Sequence, residues 1–285
     1  LQGVAEALKE KTYSWSDPPI CGSTSPSYCP GSFRSDDYRV NGSVEDGEPT
    51  ADWELSVHIW LPTQGEPPYP VLLFGHGLNS SVSQGLWLTE LASSLGIAVV
   101  AADALHHGAH PTADPDSLLQ ALDFLAIDFG EMHLDTRAMR GNIDQTTLDR
   151  LQLLELLRQN PDIDGDGDPD LDLETLFYQG ESLGGVIGSQ MMALRDFDAG
   201  VFAVGGGNLP VFLTDTGVME NFGPILEHLI GTQDDYARLL PLMQAAVDAS
   251  EPAVWAAHVI EDRLDDAPPP DLLFPVAVTD DVVPP

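Results

Sequence analysis

Thr175-Leu-Phe-Tyr-Gln-Gly-Glu-Ser-Leu-Gly-Gly185 is the most informative stretch of the chain. A short apolar run, Leu176 to Tyr178, leads into Gly180-Glu181-Ser182-Leu183-Gly184, and an apolar helical pattern follows from Val186 to Leu194. This is G-x-S-x-G in the order strand, sharp turn, helix. The spacing has a chemical reason. A serine hydroxyl is a weak nucleophile until a base takes its proton, so it must stand clear of the backbone. A strained turn with Ser182 at its apex does this, and crowding there requires small residues two positions either side. The amide of Leu183 then lies at a helix N-terminus, where a developing oxyanion is stabilised. A glycine-rich turn that merely contains a serine is the plainer alternative.

The 285 residues, 43% of them hydrophobic, can bury a substantial core, in one large domain as well as in two small ones. No apolar run is long enough to span a membrane. With 46 acidic against 11 basic residues the net charge is −35, which argues against nucleic acid and anionic membrane surfaces as partners. The only lysines are Lys9 and Lys11. Such a surface suits a saline or calcium-rich medium, although a GC-rich genome would also favour Asp and Arg. Leu1 rather than Met begins the chain, as in a product whose targeting segment has been removed. The two cysteines, Cys21 and Cys29, lie in a Pro/Ser/Gly loop. A disulfide between them predicts an oxidising, exported location, and two free thiols are the alternative.

Residues 1–11 read as a short helix and 12–36 as an irregular, disulfide-tied lead-in. Strands are expected at 37–44 and 53–61, the second half-buried near the sheet edge because it alternates Trp53, Leu55, Val57, Ile59, Leu61. The continuous apolar runs 69–74 and 97–102 read as buried parallel strands. Helices are expected at 82–95 and 145–157, strands at 200–205 and 271–279, and a mostly helical segment at 211–262. Residues 109–135 stay ambiguous. Strands alternating with helices imply a largely parallel sheet with right-handed crossovers.

A serine nucleophile also needs a second oxyanion donor, a base and an acid. Gly75-His76-Gly77-Leu78 follows a central strand, and the Leu78 amide is the expected second donor. His76 itself reads as a structural hydrogen-bonding residue. Asp280, at the end of the last strand and before a Val-Pro turn, is the expected acid; Asp281 could replace it, and Asp215 is a weaker choice. No histidine follows Asp280, and His228 and His258 both precede it within the helical segment. The base is therefore expected beyond residue 285, with the C-terminal part of the fold missing. His106, His107 and His110 lack the carboxylate pattern of a metal site.

A second site is expected in Asp162-Ile-Asp-Gly-Asp-Gly-Asp-Pro-Asp-Leu-Asp172, whose first positions have the spacing of a calcium loop, with Leu173 where that loop ends in glutamate. Asp162, Asp164 and Asp166 take the first ligand positions, Asp168 the next, and Asp170, Asp172 or Glu174 would supply the last carboxylate. A solvated acidic loop is the alternative.

With these motifs in hand, the chain resembles the α/β-hydrolase superfamily over nearly its whole length. Within it the chain is most similar to bacterial extracellular lipases and esterases of the virulence-factor type. Gly75-His-Gly-Leu78 carries that resemblance, with the Asp-x-x-x-His-Gly turn at Asp103-Ala-Leu-His-His-Gly108 and Arg140-Gly-Asn-Ile-Asp-Gln145. Glu181 stands where those proteins commonly have histidine. The resemblance implies a mostly parallel sheet flanked by helices, a domain over 37–285; the position of 211–262 between the last two strands makes that segment the expected helical lid or acyl-pocket wall. It also implies a secreted serine esterase or lipase working through an acyl-enzyme, with no catalytic cofactor and a small-molecule or lipid ester as substrate. A peptidase, acyltransferase or polyester depolymerase on the same elbow, or a non-catalytic hydrolase-like module, are the other readings.

Overall fold

The computed structural model describes residues 1–117, 120–128, 130–131, 133–210, 233–264 and 267–278. In chain order they form α1 (Gln2–Leu8), β1 (Trp15–Asp17), β2 (Ser27–Asp37), β3 (Arg39–Val40), β4 (Ser43–Val44), β5 (Ala51–Leu61) and β6 (Tyr69–Gly75). There follow α2 (Leu86–Ser94), β7 (Ala98–Ala101), α3 (Gln120–Phe124), β8 (Ile127–Asp128), β9 (His133–Leu134) and α4 (Thr136–Gln159). The last elements are β10 (Leu171–Glu181), α5 (Leu183–Leu194), β11 (Ala199–Ala203), α6 (Gln233–Val247), α7 (Pro252–Ile260) and β12 (Asp271–Leu273).

Eight strands make one sheet in the order β1-β2-β5-β7-β6-β10-β11-β12. The β1–β2, β2–β5 and β5–β7 pairings are antiparallel, and every pairing from β7 to β12 is parallel. The central parallel strands β6 and β7 are the ones whose sequences run continuously apolar, as strands covered on both faces do. β7 is buried along its whole length. Helix α4 lies against the sheet with Leu148, Leu151 and Leu154 fully buried.

The lead-in departs from expectation. Residues 12–36 are not irregular: they hold β1 and most of β2, which pairs with β5 from Ser27↔Leu61 to Asp37↔Ala51. Pro30, Gly31 and the serines of β2 carry little strand propensity, so the partner strand makes it a strand. β5 consequently lies between β2 and β7 rather than near the edge. The expected strand at 37–44 is instead the end of β2 followed by the β3–β4 hairpin, turning at Asn41-Gly42 with φ +49° and +86°. Both angles are positive, as a two-residue hairpin turn requires. The helix expected at 145–157 begins nine residues earlier, where Asp135 caps it by accepting the Arg137 and Ala138 amides.

The Cys21–Cys29 disulfide is formed. β12 stops at Leu273, short of the expected strand to 279. The helical expectation for 211–262 holds over α6 and α7; residues 211–232 lie outside the described residues.

Candidate active site

Ser182 sits between the end of β10 and the start of α5, with φ +50° and ψ −110°. A non-glycine residue at such angles is strained and persists only where its surroundings hold it. Here they do. The Ser182 amide donates to the Ala203 carbonyl at 2.9 Å, and the Ser182 carbonyl accepts the Gly185 and Val186 amides at 2.8 and 3.1 Å. The glycines are required by close approach. A Cβ on Gly184 would strike the Gly75 carbonyl, and one on Gly180 would strike the Gly184 carbonyl. The turn is thereby wedged against the end of β6. Tyr178 adds a further tie, its hydroxyl donating to the Gly184 carbonyl at 2.6 Å.

This packing brings the expected partners of the serine together. Ser182, Leu78 and Leu183 border one small cavity, and Gly77 lies beside the Ser182 side chain. The Leu78 and Leu183 amides have no acceptor among the described residues, as an oxyanion hole requires before substrate arrives. The Ser182 hydroxyl likewise has no hydrogen-bond partner among them. Gln84, which the sequence did not single out, fixes the turn that carries Leu78 by accepting the Gly77 amide at 2.7 Å.

His76 is structural, as expected. It is fully buried, its Nδ1 donates to the Gly77 carbonyl at 2.8 Å, and its Nε2 accepts the Ala104 amide at 2.9 Å. Both partners fit only the neutral ring. Burial lowers its pKa to about 3, so it stays neutral at working pH. Asp103 organises the neighbouring loop by accepting the Val82 and Ala109 amides, each at 2.7 Å. His107 donates Nδ1 to the Leu105 carbonyl, His106 engages the Thr112 carbonyl, and His110 engages Thr112 and approaches Asp149 at 3.4 Å. These three histidines do not converge on a common point. His258 on α7 engages the Asp262 carbonyl at 2.7 Å. No described histidine hydrogen-bonds Ser182. Asp280, Asp281, Asp215 and His228 lie outside the described residues.

Glu181 precedes Ser182 and accepts from Trp87 Nε1 at 3.2 Å. Half-burial raises its carboxyl pKa, and the indole donor partly offsets the shift. Glu251, almost fully buried, was also missed by the sequence reading. Its carboxylate accepts the Asn208 amide at 2.6 Å and the Leu209 amide at 2.8 Å, fixing the chain beside the cavity.

In the acidic loop the carboxylates of Asp162, Asp164 and Asp166 lie within 4.8 Å of one another. Asp168 and Asp172 stand outside that trio. Asp172 belongs to β10 and accepts the Glu174 amide at 3.0 Å. Asp170 is turned inward, accepting the Ile163 and Asp164 amides at 2.7 and 2.9 Å, and burial raises its pKa. The loop could present three carboxylates to one cation while Asp170 holds its frame.

No protein-family model matches the chain, and a search of curated proteins finds no match. Solved structures are similar. Acetyl xylan esterase 1 from a Thermoanaerobacterium species superposes with a TM-score of 0.55 at 16% identity, over 98% of this chain and 78% of that one. The acetyl xylan esterase of a Paenibacillus species gives 0.51 at 15% identity, over 96% and 86%. The Pyrococcus horikoshii acylaminoacyl peptidase gives 0.51 at 16% identity over 90% of this chain, which spans 39% of the peptidase's length. At such identities the likeness is one of fold, and it agrees with the eight-stranded, mostly parallel sheet and its flanking helices: the chain has the α/β-hydrolase fold.

Proposed function

We propose that the chain is a serine hydrolase acting on carboxylic esters. The observation that carries this reading is Ser182 at φ +50°, bordering one cavity with the Leu78 and Leu183 amides, its hydroxyl and both amides without a hydrogen-bond partner among the described residues. The Ser182 oxygen attacks the ester carbonyl while a base takes its proton, and the Leu78 and Leu183 amides hold the tetrahedral oxyanion. Collapse expels the alcohol, which receives that proton, and leaves the acyl group on Ser182. Water then adds to the acyl-enzyme, releasing the acid and restoring the hydroxyl. No cofactor is needed. The base is a histidine and its orienting acid is Asp280, both outside the described residues. Esters are favoured over amides because two of the similar structures are acetyl xylan esterases, and an ester's alkoxide leaves with less help from a general acid. Hydrolysis of p-nitrophenyl acetate that is absent in Ser182→Ala supports the reading; equal rates in both proteins remove it.

Two further readings accompany it. The Cys21–Cys29 bond supports an exported protein, since disulfides persist in oxidising compartments. Asp162, Asp164 and Asp166 support a structural calcium at the start of β10, because three converging carboxylates repel one another without a cation. Calcium titration followed by thermal unfolding tests this: a Tm independent of calcium would count against the site.

A further inference from the structure

Ser182 opens onto a cavity of about 30 Å³. Beyond the elbow its wall includes Phe124, Leu125, Met139, Ile143, Val186 and Leu209, and among the described residues no charged side chain lines it. A single water requires roughly 10–15 Å³ of such space, so the cavity accepts about two or three groups of methyl size. Leu78 and Leu183, whose amides would hold the carbonyl oxygen, line the same cavity, which is therefore the space available to the rest of the acyl group.

We propose that this cavity is the acyl pocket, that it restricts the protein to esters of short unbranched acids, acetyl to butyryl in size, and that Met139 and Leu125 set the limit. The proposal rests on the reading of Ser182 as an ester nucleophile and adds the substrate class.

The walls are built to keep this size. Phe124 and Met139 are buried to 0% and 1% exposure. The Phe124 carbonyl accepts from Asn142 Nδ2 at 2.8 Å, and Asn142 in turn accepts from the Arg39 guanidinium at 2.6 Å. On the far side the Glu251 carboxylate holds the Leu209 amide. Met139, Asn142 and Ile143 share the buried face of α4, a 24-residue helix that cannot retreat without disturbing the core behind it. The lining also selects by polarity. An α-aminoacyl group would lose its hydration there with no partner for its charge, which disfavours amino-acid esters and free-amine peptides.

The test uses p-nitrophenyl acetate, butyrate, hexanoate and decanoate with wild type, Met139→Ala and Leu125→Ala, with Ser182→Ala as blank. Wild type should peak at acetate or butyrate and fall at least about 10-fold in kcat/KM by hexanoate. Each enlarging variant should raise the hexanoate-to-acetate ratio by about 10-fold or more. Leu125 is only half-buried, so its variant folds even where the loss of Met139 does not. Equal wild-type rates on acetate and decanoate, or unchanged ratios in a folded Leu125→Ala, would overturn the proposal. Labelling by p-nitrophenyl methyl- and octylphosphonates separates the two levels. Ser182 modified equally by both defeats the pocket while leaving the nucleophile; Ser182 modified by neither defeats the ester reading and the pocket with it; preference for methyl supports both.

Discussion

The two ends of β10 are held by opposite means. At its C-terminal end, Gly180 and Gly184 allow backbone to touch backbone, and Ser182 is locked at a strained angle by main-chain hydrogen bonds. At its N-terminal end, six aspartates alternate through 162–172, and the carboxylates of Asp162, Asp164, Asp166 and Asp170 accept the amides of the loop. Between them the pairing of β10 with β6 shifts register, between Asp172 and Leu176. One end is dry and fixed by shape; the other is wet and fixed by charge. The shift lets each end take the geometry it needs without imposing it on the other. Chemistry should therefore respond to substitutions at the elbow, and stability should respond to cations at the loop.

The largest expected effect is on rate. Ser182→Ala should lower ester hydrolysis by at least about 10³-fold, since the oxyanion donors alone retain only a residue of catalysis; steady-state kinetics on p-nitrophenyl acetate read this directly. Gly184→Ala should cost about 3 kcal/mol, as overpacking against an unyielding backbone does. It should also lower activity by more than the lost stability explains, because it displaces Gly75 and the turn that carries Leu78. Thermal unfolding and kinetics on the same sample compare the two losses. At the other end, calcium at a hundred times its dissociation constant should stabilise by about 2.7 kcal/mol, a Tm rise of roughly 5–10 °C. Asp162→Ala should abolish that rise while leaving the chemistry of the elbow intact.

Two smaller tests sharpen the contrast away from β10. Replacing both Cys21 and Cys29 by serine should cost about 2.5 kcal/mol, the loop-closure value for a bridge eight residues apart, with little change in rate. Asp144, buried between Gln190 and Ser250, is held above the usual carboxylate pKa chiefly by desolvation. A folded-state pKa above the unfolded one means stability present below the unfolded value and lost as pH rises through the folded value. Wild-type stability should therefore decline with rising pH above the ordinary aspartate value of 3.8, and Asp144→Asn should flatten that slope. Denaturant unfolding across the pH range measures both.

The elbow was legible because its signal is local: small residues at fixed spacing around a serine, between an apolar strand and an apolar helix. The turn at Gly75–Leu78 and the disulfide were legible for similar reasons. β2 was not. Ser27-Tyr-Cys-Pro-Gly-Ser-Phe-Arg-Ser-Asp-Asp37 has no alternation and poor strand formers, and only its eleven pairs with β5 make it extended. The acidic loop was legible as a class but not by residue. Six aspartates look alike in sequence, yet Asp170 turns inward to two amides while Asp162, Asp164 and Asp166 converge. Gln84 and Glu251 carried no signal, because each acts by accepting backbone amides outside its own element, a role a glutamine or glutamate anywhere could fill.

The most direct test of the central claim is to trap the acyl-enzyme: the protein is mixed with p-nitrophenyl acetate, quenched with acid within the first turnover and mapped by peptide mass spectrometry. The account predicts one acetyl group, on the peptide containing Ser182, formed with a stoichiometric burst of p-nitrophenol and absent from Ser182→Ala. Acetyl on another residue, or a burst that survives the Ser182→Ala substitution, would contradict it.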